Sequence, residues 1–129
     1  MNAGLEKTIA VLVIVLFALA STNSLILHLG FITREEAIEI SRGTELVQSS
    51  LEKADNYHFE ARYLNQTHVN KAREEGPWLQ KYYPKDASLW VITWYIHHKG
   101  DPSAAAHVIS HVIDAETGQI FHEGQFTLR

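Results

Sequence analysis

The chain has 129 residues, with 11 Lys and Arg against 15 Asp and Glu, a formal charge of −4 and no cysteine. The missing cysteines exclude disulfides, zinc–thiolate sites and cysteine nucleophiles. The charge balance leaves no basic face with which to displace counterions from phosphates, since Lys71 and Arg73 are offset at once by Glu74 and Glu75. No nucleic-acid partner is expected.

An uninterrupted apolar run extends from Ile9 to Ala20, with Lys7 the only basic side chain before it. Its length suits a signal-peptide core, and Ala18-Leu19-Ala20 offers a small-x-small cleavage site near Ala20. A spanning helix needs about 20 residues. That length is reached if the helix accepts Ser21-Thr22-Asn23-Ser24 and continues to Phe31, which small hydroxyl side chains permit by bonding back to a carbonyl. Residues 1–31 therefore read as a single-pass anchor, touching the membrane through residues 9–31. A signal cleaved near Ala20 and a buried core helix are the alternatives. Either of the first two readings places residues 32–129 outside the cytoplasm, as one domain of roughly 95–100 residues. Such a domain can hold a core without disulfide or metal staples.

Thr33-Arg34-Glu35-Glu36 forms a capping box, in which Thr33 and Glu36 satisfy each other's amides, and its acidic residues suit the helix dipole. Ala37, Ile40 and Ser41 mark one helical face. Gly43 ends the helix, and Thr44 caps a second segment through Val47 and Leu51 to about Ala54. From Tyr57 to Leu64, apolar and polar residues alternate as in a half-buried strand. Thr67 to Glu75 suits a short polar helix closed by Gly76-Pro77, inside a long connection from 65 to 87 that also carries Trp78, Tyr82 and Tyr83.

Trp90 to His98 is a second strand, with Trp90, Ile92, Trp94 and Ile96 on its core face. Lys99 to Ser103 is a turn by composition, Ala106 to Asp114 a third strand, and Gln119 to at least Glu123 a fourth. Between the last two, Gly118 can take the left-handed conformation that closes a short loop, and the Asp114 carboxylate can accept from loop amides. The expected fold is α+β: one or two helices packed on a three- to four-stranded antiparallel sheet.

Three pieces of this pattern, Ile32 to Ile40, Leu89 to Ile96 and Val112 to Ile120, stand in the order found in the PepSY family and together resemble it. These are small extracytoplasmic domains first noted in the propeptides of thermolysin-type peptidases. The connection from Asn65 to Ala87 is longer than such a domain usually has. The resemblance implies a domain that binds other proteins, notably regulating or inhibiting peptidases. It implies no catalytic residues and no cofactor.

Eight histidines are many for this length. His107 and His111 have the spacing of a zinc-peptidase helix, but Val108 stands where that motif needs glutamate. On a strand, residues four apart lie about 13 Å from each other, too far for one ion with bonds of about 2 Å. A cross-strand site is different. With a loop of Ala115 to Gly118, Asp114 faces Gln119 and His111 falls opposite His122, with Cβ atoms about 5 Å apart. A change of one residue would set His111 opposite Glu123 instead. His111 and His122 are thus a candidate metal pair, with solvent-facing or core-edge histidines the alternative. Trp78, Tyr82 and Tyr83 are candidates for a partner-binding surface, because aromatic residues concentrate binding energy; they can equally form a lid over the sheet. The reading that unites these features is a membrane-tethered, non-enzymatic binding module whose partner is a protein: a peptidase that it regulates or inhibits, or a cell-envelope protein that it contacts. The alternative is a small-ligand, metal-ion or pH sensor using the histidine-bearing strands.

Overall fold

Thr33 caps the first helix through the expected box. Its Oγ1 accepts from the Glu36 amide at 3.1 Å, and its own amide donates to Glu36 Oε1 at 2.7 Å. The structure, a computed structural model, describes residues 30–100 and 105–129. The expected anchor or signal lies outside the described residues except for Gly30 and Phe31, as does most of the turn after Lys99. No helix among the described residues is long and apolar enough to cross a membrane. The folded unit spans Phe31–Arg129.

Helix α1 (Arg34–Arg42) ends at Gly43, and Thr44 caps α2 (Glu45–Glu52) by accepting from the Val47 amide. Four strands follow: β1 (Ala54–Leu64), β2 (Leu89–His98), β3 (Ala106–Asp114) and β4 (Ile120–Leu128). They form one antiparallel sheet in the order β1-β2-β3-β4, each strand beside its neighbour in sequence. Helix α3 (Gln66–Glu75) and a short 3₁₀ helix (Pro77–Lys81) fill the connection between β1 and β2. The architecture is the expected α+β, with three α-helices among the described residues where one or two were read. The third is the polar segment foreseen near Thr67, begun one residue earlier by the Asn65 side chain, whose Oδ1 accepts from the His68 amide.

The two faces of the sheet carry separate cores. On the first, Ile92, Trp94 and Ile96 of β2 and Ile109 and Ile113 of β3 meet Ile32, Ala37, Ile38 and Val47. The alternation read along Trp90 to His98 places this face, and each fully buried Ile or Val removes roughly 1.5–3 kcal/mol worth of apolar surface from water. On the second face, Val69 of α3 packs with Leu89 and Val112, walled by Leu64, Tyr83, Ala87 and Phe121. The aromatic residues of β1 alternate as expected, Tyr57 and Phe59 packing against Trp94 and Tyr63 against Trp90.

The closing hairpin holds the folded unit shut. Asp114 Oδ1 accepts from the Glu116 amide and Oδ2 from the Thr117 hydroxyl, while the Gly118 amide returns to the Asp114 carbonyl at 2.8 Å. The next carbonyl, Ala115, accepts from the Ile32 amide at 2.7 Å, and Trp90 Nε1 donates to the Ile32 carbonyl at 3.2 Å. The opening helix, the central strand and the hairpin are therefore joined at one corner. Gly118 has φ +81°, and a Cβ there would stand 2.9 Å from Ile40 Cδ1 of α1.

Gly118→Ala should therefore cost about 2 kcal/mol or more, from left-handed strain of roughly 1–2 kcal/mol plus the overlap with Ile40. Urea denaturation measures it. An unchanged midpoint would mean that the loop does not seat on α1.

Candidate functional site

A β-bulge decides what the histidines do. Asp114 faces Gln119 and the loop is Ala115 to Gly118, as read from the sequence, yet His111 pairs with Glu123 and Val112 with His122. The shift occurs between Val112 and Ile113, where β4 carries one extra residue at Phe121. A bulge opposes two residues to one and puts neighbours on the same face. Ile120 thus stays with the first core while Phe121 and His122 both serve the second face. The expected pairing of His111 with His122 does not form; the two rings stand on opposite faces of the sheet.

His111 is fully buried, and so is Ser41 on α1. Trp94 Nε1 donates to Ser41 Oγ at 2.7 Å, Ser41 Oγ lies 2.5 Å from His111 Nδ1, and His111 Nε2 lies 2.8 Å from Glu123 Oε2. Indole only donates, so Ser41 Oγ accepts from it. The Glu123 carboxylate only accepts, so Nε2 carries a hydrogen and Nδ1 of the neutral ring accepts from the Ser41 hydroxyl. Each buried polar atom of the row has a partner.

Serine, histidine and carboxylate in a row have the composition of a hydrolytic triad. A nucleophile must reach its substrate. Ser41 Oγ has no exposed surface, and an indole N–H already occupies it. In this arrangement the row fastens α1 to β2, β3 and β4. The sequence singled out Ser41 as a small residue on the apolar face of α1, but nothing in it announced the partners.

The aromatic trio of the 65–87 connection divides. Trp78 projects from the 3₁₀ helix and is 70% exposed. Tyr82 lies on His122, ring centres 4.1 Å apart, with Gly124 leaving room beneath that imidazole. Tyr83 belongs to the second core. Two tyrosines roof the sheet, as the lid reading has it, while the tryptophan faces outward. Beside Tyr83, a groove of about 620 Å³ runs between the end of β1 and α3, with Arg62, Tyr63, His68, Lys71 and Leu79 among its walls. His68, Lys71, Ala72 and Glu75 lie three or four apart and so share one face of α3.

The connection is long but well tied. Arg73 Nη1 donates to the Tyr83 carbonyl, and Gln80 Nε2 to the Arg73 carbonyl. Asn70 Nδ2 donates to Asp86 Oδ1 at 2.8 Å while the Asp86 amide donates back to Asn70 Oδ1 at 2.9 Å. This pair holds Asp86 at φ +62°, a conformation that asparagine and aspartate tolerate better than most residues. A second feature escaped the sequence reading: His58, Tyr95, Val108 and Phe126 form one row across all four strands on the second face. His58 stacks on Tyr95 and Phe126 is exposed.

Ser41→Ala strands the Trp94 N–H and His111 Nδ1 in the core and should cost about 2–4 kcal/mol. Glu123→Ala should cost only about 1 kcal/mol, because the carboxylate is half-exposed and water can replace it; equal losses in denaturation midpoint would contradict a one-sided row. Hydrogen bonding from Asn70, aided by Gln66, Lys85 and Arg73, holds the Asp86 carboxyl below its ordinary value. A depressed carboxyl favours the fold above its unfolded value, and the gain is lost as pH falls through the folded one. Asn70→Ala should raise the Asp86 titration midpoint toward the ordinary range in carboxyl-carbon NMR.

Comparison with protein-family models, with curated proteins and with solved structures finds no match to this chain.

Proposed function

We propose that the chain is a membrane-tethered, extracytoplasmic binding module of PepSY-like kind. It holds a protein partner, a peptidase or another cell-envelope protein, and performs no chemistry itself. The observation that carries this reading is Trp78. A tryptophan removes a large apolar area from water when buried, so leaving it 70% exposed on an ordered 3₁₀ turn is costly unless something covers it. The groove lined by the next residue, Leu79, and by Tyr83 also has polar walls in Arg62, His68 and Lys71, the mixed lining of a protein contact. The apolar run at 9–20 supports the tether. The hydrogen-bonded corner between the opening helix, β2 and the hairpin supports the resemblance, since those are the pieces that carry it.

The test uses the full chain in native membranes, with a photo-crosslinking residue at position 81 and mass spectrometry of the captured proteins. An extracytoplasmic peptidase or envelope protein should be captured by the wild-type chain and lost on Trp78→Ala. That variant should unfold within about 0.5 kcal/mol of wild type, as exposed positions do. Capture undiminished by Trp78→Ala would remove this surface. No specific capture at physiological salt would count against the module.

A further inference from the structure

The register that separates His111 from His122 brings two other histidines together. Ile96 pairs with His107, so His98, two residues further along β2, lies diagonal to His107 on the same face. Both side chains are half-buried, with ring centres 5.4 Å apart and planes at 73°. His98 Nε2 and His107 Nδ1 are shielded from water, and neither has a hydrogen-bond partner among the described residues. Both residues line one cavity of about 330 Å³, together with Ile96, Ala106, Thr127 and Arg129.

A buried polar nitrogen without a partner costs roughly 1–3 kcal/mol, and two at one cavity call for a shared explanation. The other nitrogen of His107 indicates what is missing. His107 Nε2 lies 2.8 Å from Gln125 Oε1. An amide oxygen only accepts, so Nε2 carries a hydrogen, and on the neutral imidazole Nδ1 keeps its lone pair. An imidazole whose far nitrogen donates to an oxygen is also the usual arrangement of a metal-bound histidine, because that bond fixes the ring and raises its basicity.

The spacing agrees. With metal–nitrogen bonds of about 2.0–2.1 Å, each ring centre stands about 3.2 Å from the ion, and two rings at a tetrahedral angle have centres about 5.3 Å apart. Magnesium and calcium prefer oxygen ligands; paired imidazoles suit zinc, copper or nickel. No group of three or more histidine or carboxylate ligands occurs among the described residues, so two coordination positions stay open to water or to an incoming ligand. Arg129 is the one opposing feature, a cation in the same lining.

We propose that His98 and His107 form an open two-histidine site for a borderline divalent ion of the zinc, copper or nickel class. The test titrates zinc chloride alone into the untagged full chain in detergent micelles at neutral pH, following histidine ring nitrogens by NMR. The His98 and His107 nitrogens should shift first. His98→Ala or His107→Ala should weaken zinc binding at least about tenfold, since losing even an outer-shell partner costs that much. His122→Ala should bind like wild type. Arg129→Ala should bind several-fold tighter, which keeps the test decisive if a histidine variant loses its fold. Zinc binding unchanged in both histidine variants would overturn the site, as would shifts confined to other histidines. Movement of these resonances with inorganic phosphate but not with zinc would overturn it too, in favour of an anion.

Discussion

The polar row from Trp94 through Ser41 and His111 to Glu123 fixes how the layers of this domain meet. Apolar packing alone lets a helix slide or rotate on a sheet at modest cost, because methyl groups accept many neighbours. A hydrogen-bonded row inside an apolar core does not. Ser41 must sit between an indole of β2 and an imidazole of β3, and Glu123 must stand opposite His111. A helical turn either way would strand buried donors and acceptors, each at a cost comparable to a tenth or more of a domain's roughly 5–15 kcal/mol stability. The hairpin corner adds a second constraint: Ala115 and Trp90 grip Ile32, and Gly118 seats against Ile40.

The bulge in β4 follows from the same row. An unbulged hairpin would pair His111 with His122 and place Glu123 opposite Ser110. A carboxylate accepts firmly from Nε2–H, whereas a second imidazole would have to match its tautomer to the first. The extra residue at Phe121 resolves this. It keeps Ile120 in the first core, delivers Glu123 to His111, and gives the second face both Phe121 and His122.

Much of the fold was legible because local chemistry and tertiary packing agree. Thr33 and Glu36 box a helix in the sequence and in space; Trp90, Ile92, Trp94 and Ile96 alternate onto the core; Asp114 and Gly118 close the loop where their chemistry requires. The bulge was not legible, since Ile120-Phe121 are adjacent apolar residues and period two cannot say which core each enters. The Ser41–His111–Glu123 row was hidden for a related reason: its members lie up to 82 positions apart and meet only once the register is set. Within the candidate surface, composition drew notice to Trp78, Tyr82 and Tyr83 together. Their division depends on His122 reaching the second face, which is again the bulge.

The two faces of the sheet consequently do different work. The first carries the polar row and the larger core, where a substitution disturbs the fold. The second is only partly covered, by α3 and the loop that Arg73 and the Asn70–Asp86 pair hold down. Trp78 and the groove belong to that covering, near the start of β2, while His98 ends the same strand. Ten residues at about 3.3 Å each separate the two regions by roughly 30 Å. Between them β2 is pinned by Trp90 to Ile32 and by Trp94 to Ser41. Energetic coupling over such a distance needs an element with two discrete arrangements. On the two proposals made above, partner binding at one end and ion binding at the other would act as independent events along this strand.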